Sequence, residues 1–162
     1  MQFIASDQAW AIALQLLTTG PAVEQAQGGS SAAGGGQTQN AQGGHFIGAQ
    51  ALYQKLDKDF EIELATKNEH VIELRDKLFG LLTPEQNQPA SAKPTYHKMV
   101  IERLCMSLAY LALHTTNTCW NTSIKDIISY GGAHGPAQCF ISLSILKNIC
   151  ITFENKMFNQ KS

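Results

Sequence analysis

Between Met99 and Leu113 the apolar positions fall into two rows. Ile101, Leu104, Cys105, Leu108, Leu111 and Ala112 share one side of an α-helix, and Met99, Met106, Tyr110 and Leu113 share another. A helix at the rim of a bundle needs a single apolar stripe. Two stripes predict a helix covered on two sides, as in the inner layer of a stack of helix pairs.

The flanking segments fit around this helix. Ser6 ahead of the acidic Asp7 suits the N-cap of a first helix, which places Trp10, Ala13, Leu14 and Leu17 on one face and stops at Gly20-Pro21. Residues 20–44 are mostly Gly, Gln, Ala and Ser with almost no large apolar side chain, a composition that predicts a disordered insertion. Phe46, Ala49, Tyr53 and Leu56 predict a second helix from about residue 45 to 56, closed by Asp57-Lys58-Asp59 with Phe60 packing behind it. A third is expected over 68–82. Val71, Leu74, Leu78, Leu81 and Leu82 form its inward stripe, Glu69, Glu73, Asp76 and Lys77 its wet one, and Glu73 lies four residues before Lys77.

A Pro-containing connector follows, and then the two-striped helix over about 97–113. Trp120, Ile124, Ile127 and Ile128 predict a fifth helix that Gly131-Gly132 terminates. An apolar sixth covers about 137–153, and a polar tail runs over 154–162. Residues 45–82 and 97–130 both read as an apolar helix, a turn with a bulky aromatic (Phe60, Trp120) and a second amphipathic helix. This is the pattern of stacked helical hairpins, and it predicts an all-α array.

Composition narrows the setting. The chain has 162 residues, 44% of them hydrophobic, which is enough for one ordinary core. Its formal net charge of -1 and the lack of any basic run argue against nucleic acid or an anionic membrane surface as a partner. No continuous apolar run reaches membrane-spanning length, and the start has no basic n-region, so a soluble intracellular protein is expected. Cys105, Cys119, Cys139 and Cys150 show no CxxC spacing and read as buried reduced thiols. The sequon at Asn121-Thr122-Ser123 carries no implication without a secretory route.

The candidate chemistry does not point to an enzyme. His45, His70, His97, His114 and His134 are scattered without metal-ligand spacing, and no cofactor is expected. Gly131-Gly132-Ala133-His134-Gly135 resembles a phosphate loop only superficially: it follows a helix and lacks the Lys-Ser/Thr that reaches phosphate and magnesium. Glu102-Arg103 reads as a structural salt bridge or cap. What remains is surface recognition. In stacked hairpins the second helices line the concave face, so the expected partner-binding stripe is Glu69, Glu73, Asp76 and Lys77 on one rung and Thr122, Lys125, Asp126 and Ser129 on the next.

Several motifs also resemble, in order, the N-terminal region of importin-β-type nuclear transport receptors, nearest the importin-13 and transportin-3 branch. They are Gln8-Ala9-Trp10 with Leu16-Leu17, the run from His45 to Leu56 followed by Phe60, Leu74-Arg75-Asp76-Lys77-Leu78, the run from Arg103 to Leu113, and Trp120 with Ile124 and Asp126-Ile127-Ile128. The resemblance spans about 6–130, and Ile145-Leu146-Lys147-Asn148-Ile149 with Phe153-Glu154 looks like the next helix in register. It implies a HEAT-repeat α-α superhelix, or solenoid, present here as a truncated N-terminal fragment. On that reading 1–19 is a remnant of the first repeat, 20–44 an insertion, 45–82 the second repeat, 83–97 a linker, 98–130 the third repeat and 137–153 the first helix of a fourth.

The resemblance further implies Ran-GTP as the partner of the N-terminal repeats, protein cargo and nucleoporins as partners of the full-length family, and shuttling between cytoplasm and nucleus. Two other readings stand beside it: a helical-repeat scaffold that binds proteins other than Ran, and an incomplete, unstable product.

Overall fold

The computed structural model describes residues 8–19, 37–60, 67–83, 96–133 and 135–159. These form six helices: α1 (Gln8–Thr19), α2 (Gln37–Asp59), α3 (Asn68–Leu82), α4 (Lys98–Thr115), α5 (Ser123–Ala133) and α6 (Pro136–Asn159), with no strand among the described residues. The protein is all-α.

The two-striped helix is α4, and it sits at the centre. Val100, Leu104, Cys105, Leu108, Ala109, Tyr110, Leu111 and Ala112 are all buried, because α4 touches α2, α3, α5 and α6. Of the expected second row, Tyr110 is buried while Met106 and Leu113 are half-buried. Met99, placed in that row, is exposed in the first helical turn, ahead of the covered part of the helix. Upstream, Tyr96 donates its hydroxyl hydrogen to the Leu17 carbonyl at 2.6 Å, which ties the start of α4 to the end of α1.

Side-chain contacts give the helix directions. Arg103 lies over the Phe46 ring and Tyr110 packs edge-on to Phe60, so α2 and α4 run parallel. Cys105 faces the Ile141 carbonyl and Lys156 reaches His114, so α4 and α6 also run parallel. On the other side of the core, Arg75 and Phe79 meet Trp120, and Phe79 and Thr83 meet Tyr130, so α3 and α5 run parallel as well. The result is two layers, α2/α4/α6 and α3/α5, with α1 packed antiparallel on α2. Helices α1 and α2, and α5 and α6, are in extensive contact, whereas α5 meets α4 only slightly. The tightest neighbours are therefore one helix out of step with the hairpins 45–82 and 98–130 expected from the sequence.

Several element boundaries differ from expectation. α2 begins at Gln37, so 37–44 of the expected insertion is helical: Gln and Ala are good helix formers and extend a helix that packing has already nucleated. The remaining 20–36, the Ser6 cap and most of the 83–97 linker lie outside the described residues. α6 continues through 154–159, where Glu, Lys and Met favour helix, instead of ending in a tail. By length and composition α6 is also apolar enough to cross a membrane, with a mean hydropathy of 1.3 in its best window. Gln138, Ser142 and Asn148 interrupt it, which is why no unbroken apolar run is visible. Finally, α5 includes Gly131-Gly132 and ends one residue later, at Ala133.

Gly131 is a point of contact. A Cβ built there meets the Ser142 Cβ at 2.6 Å and its Oγ at 2.9 Å, while Ser142 donates to the Ile127 carbonyl at 2.7 Å. The two helices approach this closely only because residue 131 has no side chain. Gly48 plays the same part in α2, where a Cβ falls 2.8 Å from the Ala13 carbonyl oxygen. Gly132 has nothing within reach. Adjacent alanine substitutions should therefore act in opposite directions: Gly131→Ala overpacks the α5/α6 contact and costs about 1–3 kcal/mol. Gly132→Ala gains up to about 1 kcal/mol of helix propensity. Urea denaturation of the two variants reads both; equal shifts would contradict the close approach.

The thiols also depart from the single expected class. Cys105 is buried, and burial pushes its thiol up to about 11. Cys119 is partly covered, and Cys139 and Cys150 are exposed on the outward side of α6. Glu102 is exposed and forms no ion pair with Arg103, whose guanidinium instead donates to Met106 Sδ at 3.2 Å.

Candidate functional site

Trp120 organises the face formed by α3 and α5. It precedes α5 and is almost wholly buried, with its ring edge-on to Phe79 at 5.9 Å and the Arg75 guanidinium 5.5 Å from its centroid. Its Nε1 donates to Asp126 Oδ2 at 2.8 Å, and the Thr122 hydroxyl donates to the same oxygen at 2.8 Å. Asp126 thus joins the turn to the first turn of α5, where a carboxylate also meets the positive end of the helix dipole. Across from it, Arg75 holds the Asp76 carboxylate at 2.7 Å. The Tyr130 hydroxyl accepts from Thr83 at 3.2 Å, and burial raises its pKa.

These side chains frame a shallow groove of about 380 Å³ lined by Arg75, Asp76, Phe79, Asp126, Ser129, Tyr130 and Ala133. It is open to solvent and mixes two carboxylates, one guanidinium and two aromatic rings. Such a surface suits a protein side chain or loop, since aromatic and Arg groups supply most of the anchoring energy at interfaces.

Of the eight residues expected on the binding stripe, Asp76, Asp126 and Ser129 meet in this groove. Thr122 and Lys125 line a separate depression on α5 with Asn121, Ile124 and Ile128, which Ser129 also borders. Glu69, Glu73 and Lys77 are exposed on α3 and line neither. Glu73 and Lys77 form the expected pair at 2.8 Å, and the hydrogen bond from Lys77, with its charge, holds the Glu73 carboxyl below its usual range. Asp126 is half-buried and tied down on one oxygen, so it acts first as a brace. Ile124 and Ile128, two of the apolar positions that predict the fifth helix, are exposed.

Sequence reasoning did not single out Arg75, Phe79 and Tyr130 as lining residues. They sit where the inward and wet stripes meet, and the available signal was the i, i+4 spacing of Arg75 and Phe79 next to Asp76. Among the described residues no group of three His, Cys, Asp or Glu forms that could hold a metal ion.

The fold and this face define an all-helical, two-layered protein with an open, mixed-charge groove. No family model, no curated protein and no solved structure matches the chain.

Proposed function

We propose that the protein is a non-enzymatic helical-repeat receptor of HEAT type, an N-terminal portion of an importin-β-like transport receptor whose α3/α5 face binds Ran in its GTP form. The observation that carries this reading is the recurrence of one packing step. α2 to α4 and α4 to α6 are both parallel neighbours in one layer, and α3 and α5 repeat the relation in the other, as stacked repeats require. The resemblance of the ordered motifs supplies the identity of the partner, and the α3/α5 groove supplies a surface of suitable chemistry.

The mechanism is differential binding. The γ-phosphate orders the switch segments of a small GTPase, and only the ordered form presents a fixed surface to the groove and to the charged stripe around it. On this account the protein shuttles between cytoplasm and nucleus with that cycle. Immobilised protein should retain Ran loaded with GTP and release Ran loaded with GDP, and Asp76→Lys with Lys125→Glu should weaken retention without changing the helical circular dichroism. Equal retention of both nucleotide forms, or of neither, defeats the reading and leaves the alternative of a scaffold for other proteins.

A further inference from the structure

The outward side of α6 carries a run of uncovered apolar residues. Phe140 is 76% exposed, Leu143 57%, Ile151 44% and Phe158 66%, and Cys150 lies among them. Over 24 residues the helix is about 36 Å long. Only Gln138, Ser142 and Ile145 are fully buried against the body of the protein. Two charges, Lys147 and Glu154, stand in the middle of this apolar side, and neither forms an ion pair among the described residues.

Their spacing decides what fits. Lys147 and Glu154 are seven residues apart, two turns and roughly 10.5 Å along one side of the helix. A two-fold axis level with the midpoint between them, lying between the two copies, brings the same side of a second helix onto this one: each Lys147 then faces the other copy's Glu154, Leu143 stands level with Phe158, and Cys150 stands level with Ile151, which leaves the two Cys150 thiols only about 1.5 Å out of step along the helix. A parallel arrangement would oppose Lys to Lys and Glu to Glu, which like-charge repulsion disfavours. A lipid surface fits less well, because the carboxylate of Glu154 would enter the apolar layer with the rest of this side.

We infer that α6 is a self-association surface on which a second copy of this chain docks antiparallel, its register set by reciprocal Lys147–Glu154 pairs. Isologous contacts of this kind place the same patch on both subunits, and polar groups within an apolar seam fix orientation and register. The surface is separate from the α3/α5 groove, but a further repeat stacked on α6 would compete for it, so the second copy docks on the 162-residue chain.

Charge reversal in sedimentation equilibrium tests it. The wild-type chain should dimerise, and Lys147→Glu and Glu154→Lys should each weaken the dimer at least ~10-fold by placing like charges opposite one another. The double variant K147E/E154K should recover it, since the reciprocal pair is restored. Diamide, which takes up two electrons and two protons as two thiols become one disulfide, should cross-link wild type and Cys139→Ser but not Cys150→Ser. Circular dichroism checks that each variant is folded; both charged side chains are exposed, so helical content should hold. A monomeric wild type, a double variant no better than the singles, or vesicle binding without dimer in solution would each overturn the inference.

Discussion

Replacing Trp120 with alanine should lower stability by about 3–5 kcal/mol, the range for removing a buried aromatic that cannot be refilled. Trp120 is 1% exposed and lies outside any helix, in the turn between α4 and α5, so no continuous backbone ladder holds its neighbours once it is gone. Three groups lose their seat together: the Phe79 ring, the Arg75 guanidinium and the Asp126 carboxylate. Trp120→Phe separates the parts. It keeps most of the apolar volume but cannot donate to Asp126, so it should cost less, about 1–3 kcal/mol, for the lost charge-assisted hydrogen bond and some volume. Urea midpoints read both. A loss below about 1 kcal/mol for Trp120→Ala would mean that the site is free to collapse and that the turn refills the space.

The second large effect belongs to Leu108. It is fully buried at the middle of α4, and truncation to alanine should cost about 2–5 kcal/mol through lost burial and a cavity that helices on several sides cannot close at once. Because α4 touches α2, α3, α5 and α6, unfolding should remain one cooperative step seen alike by circular dichroism and by tryptophan fluorescence. The matched truncation Leu113→Ala, at a half-covered position, should cost distinctly less. Two separate transitions in Leu108→Ala, or equal losses at 108 and 113, would contradict the central place given to α4.

What the sequence made visible follows from how strictly each signal constrains the backbone. Of the stripe Val71, Leu74, Leu78, Leu81 and Leu82, all but the half-buried Leu81 are buried along one helical face, and α3 has the limits read from it. The double row of Met99 to Leu113 correctly marked the covered helix. Glycine was the weak signal: Gly131-Gly132 reads as a stop because glycine favours chain ends, yet here one of the pair is needed inside a helix for close approach to Ser142. That requirement belongs to α6, which a local pattern cannot see. For the same reason the polarity of 37–44 and 154–159 reads as non-helical, although each continues a helix whose buried residues lie elsewhere along it. The parallel neighbour relations are invisible in periodicity altogether, since period reveals which side is apolar and not what covers it.

The candidate face was partly visible for a similar reason. The wet stripe of α3 was right in outline, and Glu73 pairs with Lys77 at the expected spacing. Asp126 looked like a surface carboxylate because nothing in its local pattern reports the indole that faces it from six residues away. Arg75 and Phe79 escape the pattern because half-buried groups belong to neither the core pattern nor the solvent pattern, and such groups form the rim of a groove.

Hydrogen–deuterium exchange of the protein alone and with Ran in each nucleotide state tests the central claim most directly, because it reports both binding and place. The account expects Ran-GTP to slow exchange in α3 and α5, around Asp76, Asp126 and Ser129, with no change from Ran-GDP. Protection by both nucleotide forms, protection confined to helices other than α3 and α5, or none at all would contradict it.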